Sequence, residues 1–507
     1  MLTGHPDREL VKYVLEGLVN GFDVGFLHGG VLIDALKNNK SALENVAQVS
    51  IAIQKGVQNN TLHGPFYSKP LSNLHISPIG AAIKEDGSVR IILDLSSPRG
   101  HAVNDFIDKE DFPVKYTQFD EATDKIVDMG PYTFLAKLDI KNAFTICPVR
   151  KDQWVLLGFK WDNRFYLFPI LPFGLRSSPY IFNSLADLIC WIINNYGCNA
   201  LHYLDDFIMA HLGRERCGLF LQKAIDLFKD LGVPLAENKI EGPVQVIKYL
   251  GIIIDVTRME IRLPEDKLLK ILNLIKLWLG KKVCKKRGLL SLIGLLSFAC
   301  KVVKPGRIFL RRLISLGTTM HSLEDTCVLS SDAILDIEWW GKFLEVWNGK
   351  SLIVSNTKID IQIFTDASNL GMGGVCNRMW FSTAWPKKYK DKHINILELF
   401  GVAAAICTWL EDKNNINVLI YTDNKNIVDI WYSGSTQCKD MMDIIRYLFF
   451  FTAKRNINVQ LQHIYGYNNT AADLLSRLQV PRFKQRFPDA DEEMSVIHTD
   501  IWAICKN

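Results

Sequence analysis

Several things are missing from this chain, and each absence narrows what it can be. No two of its 11 cysteines form a Cys-x-x-Cys pair, so neither a zinc site nor a disulfide framework is indicated. Reduced thiols of the cytoplasm or nucleus are the expectation. No apolar run approaches the roughly 18 residues needed to cross a bilayer. Asp7, Arg8 and Glu9 stand where a signal peptide would need apolar residues. Neither a secreted nor a membrane protein is therefore expected. Acidic residues are absent from Lys281 to Arg312, a stretch that holds ten basic ones.

What is present fits a soluble, multidomain protein. The 507 residues are 48% hydrophobic and 22% charged, enough for about two to four domains. The net charge of +5 is modest but unevenly placed. Within the basic stretch, Leu289, Leu290, Leu292, Ile293, Leu295 and Leu296 interleave at helical spacing. A helix pair with a buried apolar face and a basic outer face suits a polyanion backbone, with Lys281, Lys282, Lys285, Lys286 and Arg287 as the contacts. A solvated surface is the plainer alternative, although such faces usually mix both signs.

Acidic residues punctuate apolar segments. In Leu201-His202-Tyr203-Leu204-Asp205-Asp206-Phe207 two aspartates interrupt a hydrophobic run. Neighbouring strand residues point to opposite faces, which would bury one charge unpaired. A tight turn that brings both carboxylates to one tip removes the conflict, and a divalent cation would offset their repulsion. An acidic surface turn is the bland reading. Thr133 to Ile140 reads as a strand ending on Asp139. Ile76 to Lys84 and Val89 to Leu95 flank Glu85-Asp86-Gly87-Ser88, a hairpin signature that brings Lys84 and Arg90 near each other. Two such cations could clamp a triphosphate. Leu171 to Pro179 is a loop entering a helix, with Gly174 allowing close backbone approach and Ser177 and Ser178 available as caps.

A second constellation follows residue 351. Asp366 and Asp423 each lie near a strand end, Glu398 lies on a helix, and Asp473 lies on a helix after a Gly/Asn loop. A mixed sheet would gather all four at one end. Residues 1–70 show only helical patterns and no chemistry, and residues past 480 lack periodicity.

With these residues in view, the chain resembles a retroelement reverse transcriptase joined to a ribonuclease H domain. Leu-Asp-Ile at Asp139, Leu-Pro-Phe-Gly-Leu-Arg-Ser-Ser-Pro around Gly174, Tyr203-Leu204-Asp205-Asp206 and Tyr249-Leu250-Gly251 are similar to that family's motifs, in its order. Leu93 to His101, Val103-Asn104-Asp105 and the segment from Lys304 to Arg312 are similar to DIRS-like retrotransposons, whose integration uses a tyrosine recombinase. With no recombinase, capsid or protease segment visible, the chain is expected to be the polymerase portion or a fragment of an element.

The resemblance implies an α/β (α+β) multidomain fold: a right-hand polymerase with fingers, palm and thumb, then a ribonuclease H-like mixed-sheet domain. The implied division is a helical extension (1–70), fingers and palm (71–262), a basic helical thumb or connection (263–350), the ribonuclease H-like domain (351–480) and a tail or linker (481–507). It implies RNA-directed DNA polymerisation, with two magnesium ions per site (manganese as an alternative). Asp139 and Asp205 would hold them, with Asp206 as a weaker neighbour. Lys84, Arg90 and Lys239 would meet the incoming nucleotide, Phe144 would exclude a ribose 2′-hydroxyl, and Gly174 would let the base pair lie close. Tyr203 and Tyr249 would contact nucleic acid.

Asp366, Glu398, Asp423 and Asp473 would bind the metals of a hybrid-cleaving nuclease. RNA template, DNA primer, RNA–DNA hybrid and deoxynucleoside triphosphates are the implied ligands, and the cytoplasm or nucleus the implied compartment. One departure stands out: Tyr467 follows Gly466 where the family usually carries histidine, and His463 sits upstream in a strand. A slower nuclease is expected. The alternative function is a catalytically decayed or domesticated nucleic-acid-binding relative.

Overall fold

The structure, a computed structural model, describes residues 1–27, 31–35, 37–84, 87–352, 358–434, 436 and 438–504. The chain folds into two compact units, Met1–Leu250 and Gly251–Asn507. It is mixed α/β and multidomain, as expected. Among the described residues no helix is long and apolar enough to cross a membrane.

The first unit begins with α1 (Arg8–Asn20), α2 (Lys40–Leu43) and α3 (Val46–Gln58), and Asp7 caps α1 through the Leu10 amide. These helices are no detached extension. Val14, Val49 and Ile53 join the same hydrophobic core as Ile79, Leu93 and Leu138. Strand β1 (His63–Phe66) precedes the hairpin β2 (Ile79–Ile83) and β3 (Val89–Leu93), paired antiparallel with Ala82 opposite Arg90. Glu85 and Asp86 of the expected turn lie outside the described residues.

Helix α4 (Phe119–Met129) leads to β4 (Thr133–Asp139), then β5 (Gly158–Trp161) and β6 (Arg164–Leu167), which form a three-stranded sheet with β1. Helix α5 (Ser178–Asn195) is followed by β7 (Ala200–Tyr203), β8 (Asp206–Leu212), α6 (Arg214–Asp230), β9 (Glu241–Val244) and β10 (Val246–Tyr249). The central sheet runs β7-β8-β4-β9. Strand β4 is a largely buried interior strand, with α6 packed on it, α4 on β8 and α5 on β7. The strand expected over Val246 to Ile254 is interrupted: Leu250 (φ 46°) and Gly251 (φ 78°) take left-handed conformations that end it.

The second unit opens with β11 (Ile252–Asp255) and β12 (Glu260–Arg262), then α7 (Glu265–Leu279). The basic stretch is more than a helix pair. Strand β13 (Val283–Lys285) precedes α8 (Lys286–Ala299) and α9 (Arg311–Thr318), and pairs with β14 (Thr326–Val328) in a two-stranded ribbon. Next come α10 (Ser331–Val346) and β15 (Lys350–Ser351), which extends the β11–β12 pair.

A five-stranded sheet follows, built from β16 (Ile361–Ala367), β17 (Gly371–Cys376), β18 (Met379–Ala384), β19 (Asn417–Thr422) and β20 (Asn458–His463). Its order is β18-β17-β16-β19-β20, antiparallel on the first side and parallel from β16 to β20. Helix α11 (Ile394–Trp409) is apolar on every face, which marks a buried helix, and packs on β16 and β17. Then come α12 (Lys425–Ser433), α13 (Lys439–Lys454), α14 (Thr470–Ser476) and α15 (Val480–Arg486), with α11 and α14 on opposite faces of β17. Gly373 lets α14 press onto β17, because a Cβ there would lie 2.6 Å from the Ser476 backbone nitrogen.

The segment expected as a tail or linker is docked instead. Phe483 and Ile501 are buried, Trp380 Nε1 donates to the Asp491 carbonyl at 2.8 Å, and Trp502 packs on Tyr389. Isolated large apolar side chains, rather than a periodic stripe, attach it.

Candidate active sites

In the first unit the hairpin β7–β8 closes through Leu204 and Asp205, with Tyr203 opposite Asp206. Leu204 adopts φ 53° to make the turn, a conformation unusual outside glycine and a known mark of strained functional turns. On the other side of β8, Asp139 stands directly opposite Asp206. The Asp205 carbonyl accepts from the Ile140 amide (3.1 Å), which ties the turn to the end of β4. Asp139 is buried, and Lys239 Nζ reaches its Oδ2 at 2.8 Å.

Burial and then the neighbouring Asp205 and Asp139 carboxyls push Asp206 up to about 7. Asp205 is raised by burial and by Asp139, against the pull of Lys239 and Arg90. Burial and mutual repulsion thus hold Asp205 and Asp206 above the usual carboxylate range. That all-oxygen donor set suits a hard divalent cation.

Of the expected nucleotide-side residues, Arg90 and Phe144 are linked through Phe173. Arg90 lies over the Phe173 ring, 4.4 Å from its centroid, and Phe173 packs against Phe144 at 4.8 Å. Lys84 is exposed at the hairpin end. Phe144 is half-buried, and its ring also meets Phe182. Gly174 (φ 107°) has an internal reason to be glycine: a Cβ would fall 1.9 Å from the Leu93 carbonyl oxygen. Its close approach is to β3 of its own chain. Ser177 precedes α5 without capping it through its hydroxyl, and Ser178 Oγ donates to the Pro172 carbonyl instead.

Asn104 was not singled out from the sequence as a site residue, yet it organises this loop. Its Nδ2 donates to Ser96 Oγ and to the Gly174 carbonyl, and its Oδ1 accepts from the Arg176 amide at 2.8 Å. Its place in the phrase Val103-Asn104-Asp105 was the available signal.

Tyr203 stacks on Tyr116 at 5.0 Å and stays half-exposed. Tyr249 does not fit the expected role. It is only 3% exposed and stacks on Phe119, so its ring cannot face nucleic acid. The alternation of β10 turns it inward.

The basic residues are also less free than the sequence suggested. Lys285 and Arg287 both pair with Glu324, each at 2.9 Å. Lys286 Nζ donates to the Met320 carbonyl, and Lys281 lies over the Trp278 ring. Lys282 is exposed. The ribbon returns an acid from beyond Arg312, which a run of neighbouring residues cannot reveal.

In the second unit Asp366, Glu398 and Asp423 present ligand atoms within 4.8 Å of one another. Among the described residues no second group of three is that tight. Glu398 is buried, with Oε2 lacking a hydrogen-bond partner. Burial, then Asp366 and Asp423, push its carboxyl up to about 9. Burial raises Asp366 to about 7, opposed by Ser476 Oγ, which donates to its Oδ2. An orphaned buried oxygen within an all-carboxylate set fits a divalent cation.

Asp473 stands apart from the three and is held by Arg477 Nε at 2.7 Å, though it still raises Asp366. Ser476 and Arg477 follow Asp473 by three and four residues, one helical turn, the spacing that would have exposed them. His463 ends β20 and donates from Nε2 to the Asp423 carbonyl at 3.1 Å. Tyr467, 75% exposed, stacks on Tyr465 with centroids 5.4 Å apart.

Residues 83–254 match the family described as reverse transcriptase (RNA-dependent DNA polymerase). That stretch is similar to reverse transcriptase domains. The chain is 23% identical over 373 residues to polyprotein P3 of Commelina yellow mottle virus, which covers 69% of this chain and 18% of the viral protein. It is 24% identical over 258 residues to the Pro-Pol polyprotein of simian foamy virus type 1, covering 51% and 19%. With the enzymatic polyprotein of carnation etched ring virus it shares 22% over 360 residues, covering 67% and 50%. The chain thus spans half or less of the length of these three relatives.

Two solved structures share the fold. A foamy viral protease–reverse transcriptase in complex with double-stranded DNA has a TM-score of 0.53 at 16% identity, covering 87% of this chain and 73% of that one. The foamy viral enzyme in complex with an RNA/DNA hybrid has a TM-score of 0.51 at 15% identity, covering 90% and 61%. The chain thus shares its multidomain α/β fold with these two structures.

Proposed function

We propose that this chain copies RNA into DNA and cleaves the RNA of the resulting hybrid at a second site. The register of Asp139 against Asp206, with Asp205 at the adjoining turn, carries the polymerase reading. It gathers three carboxyls beside Lys239 and within electrostatic reach of Arg90. Two divalent cations per site, magnesium by the donor set with manganese as an alternative, would supply charge neutralisation at the primer 3′-oxygen and the departing pyrophosphate.

The chain's own residues divide the remaining work. Asp139 and Asp205 hold the site's charge, and Asp206 supports them. Arg90 and Lys84 grip the triphosphate, and Lys239 meets its phosphates after leaving Asp139. Phe144, braced by Phe173, excludes a 2′-hydroxyl. Tyr203, Lys281 and Lys282 touch template and primer. In the second unit Asp366, Glu398 and Asp423 form the ligand set, with Asp473 joining once Arg477 yields it. RNA template, DNA primer, hybrid and deoxynucleoside triphosphates are the ligands.

We assign residues 71–262 to fingers and palm, 263–350 to a thumb or connection, and 351–480 to the ribonuclease H-like domain. The cytoplasm or nucleus is the proposed place of action. The phrases around Asn104 and Arg307 support a DIRS-like retrotransposon as the source; a tyrosine-recombinase gene beside the coding sequence would test that. Primer extension on an RNA template with magnesium tests the function. Incorporation abolished by Asp205→Asn is expected, whereas binding without incorporation would favour the decayed or domesticated alternative.

A further inference from the structure

The ribbon β13–β14 sets Cys284 directly opposite Cys327, between the pairs Val283–Val328 and Lys285–Thr326. Their sulfurs lie 3.5 Å apart, although 43 residues separate them in the chain. A disulfide needs about 2.05 Å, so the two atoms must approach by about 1.5 Å, within reach of small side-chain rotations. Cross-strand partners on one face of such a ribbon have the separation a disulfide spans. Other cysteines are spent on the fold: Cys190 Sγ faces the Ala200 carbonyl and Cys198 Sγ the Phe220 carbonyl.

We propose that Cys284 and Cys327 form a thiol pair that a disulfide oxidant closes into a cross-link across the ribbon. The cross-link stands independently of the polymerase reading, and its effect on nucleic-acid binding rests on that reading. Cys284 is 6% exposed and Cys327 is more open. Oxidation therefore begins at Cys327. Its thiolate attacks one sulfur of oxidised glutathione, forming a mixed disulfide and releasing one glutathione thiol. The Cys284 thiol then loses its proton, attacks the Cys327 sulfur and expels the second glutathione. Two protein thiols are oxidised and one glutathione disulfide is reduced to two thiols. Burial, then the Cys327 sulfur beside it, push the Cys284 thiol up.

The cross-link has a consequence for charge. It closes the loop that contains α8 and α9, and it pins the ribbon end where Glu324 holds Lys285 and Arg287. Oxidation keeps those two cations on Glu324, while the reduced ribbon can open and release them to phosphates.

The test treats the full chain with oxidised glutathione or with dithiothreitol, then maps peptides without reduction. Expected are a cross-linked peptide joining Cys284 to Cys327, loss of two titratable thiols, and a melting temperature higher by about 5 °C. Cys327→Ser and Cys284→Ser should each abolish all three, and the more exposed Cys327 variant guards against a folding defect. Only mixed glutathione adducts, or cross-links to other cysteines, would overturn the pair. An RNA–DNA hybrid oligonucleotide at low salt should bind about threefold more weakly to the oxidised chain, and not in Cys327→Ser. Unchanged affinity of the cross-linked chain would overturn the coupling to Lys285 and Arg287.

Discussion

Asp139 and Asp206 face each other across the antiparallel pair β4–β8, and Lys239 Nζ lies 2.8 Å from the Asp139 Oδ2. This lysine is the nearest compensating charge for three crowded carboxyls. It pulls Asp205 and Asp206 down against burial. Lys239→Met should therefore shift the pH profile of nucleotide incorporation to the alkaline side and raise the magnesium needed for half-saturation. At pH 7 the loss in kcat/KM should be about tenfold, the size of one lost charge contact of roughly 1.4 kcal/mol. An unshifted profile would limit Lys239 to pyrophosphate contact.

Gly174 makes a second, purely structural prediction. Its left-handed backbone and the Leu93 carbonyl 1.9 Å from any Cβ leave no room for alanine. Gly174→Ala should destabilise the first unit by at least about 2 kcal/mol, because the obstacle is backbone and the conformation is also strained. Chemical denaturation with a probe in that unit checks it. An Asn104→Ala change should act on the same loop to a similar extent, by about 1 kcal/mol for each of its three lost hydrogen bonds.

The carboxylate positions were legible because acids at strand ends break an apolar pattern. Asp139, Asp205 and Asp366 each stand out for that reason, and the register then brings Asp206 to Asp139. The hairpin carrying Lys84 and Arg90 was equally clear from its turn chemistry. Tyr249 misled because a motif names a residue without saying which face of β10 it takes. Glu324 was invisible for a different reason. Its partners Lys285 and Arg287 are reached through strand pairing, and no local period encodes it. The docked segment after Val480 shares that cause, since Phe483 and Ile501 are single anchors outside any repeat.

The second unit should respond to pH through its acids. Burial and neighbouring carboxyls hold Asp366 at about 7 and Glu398 at about 9, against ordinary values of about 4. The folded chain thus binds more protons than the unfolded chain between those limits, so stability falls as pH rises. Without divalent cations the melting temperature should decline from pH 5 to pH 9. Added magnesium should restore more at pH 8 than at pH 6, where protons compete for the same oxygens. Thermal melts in chelator, with and without excess magnesium, measure both. A flat metal-free profile would mean that the carboxyls ionise freely.

Tyr467 gives the most direct handle on the second site. It stands one residue after Gly466, whose Cβ position would lie 3.3 Å from Asp423 Oδ2, so the backbone preceding it borders the acids. A phenol ordinarily titrates near 10 and carries no useful proton exchange at neutral pH, whereas an imidazole titrates near 6.5. His463 cannot substitute, because its Nε2 is engaged by the Asp423 carbonyl. Tyr467→His should therefore raise steady-state hybrid cleavage several-fold, on the order of the smaller general acid–base effects, with a new pH dependence near neutrality. Asp366→Asn should remove cleavage in both backgrounds while leaving primer extension intact. If Tyr467→His instead lowers cleavage while single-turnover rates hold, the stacked Tyr465–Tyr467 pair serves to grip the hybrid, and the loss would appear in KM rather than kcat.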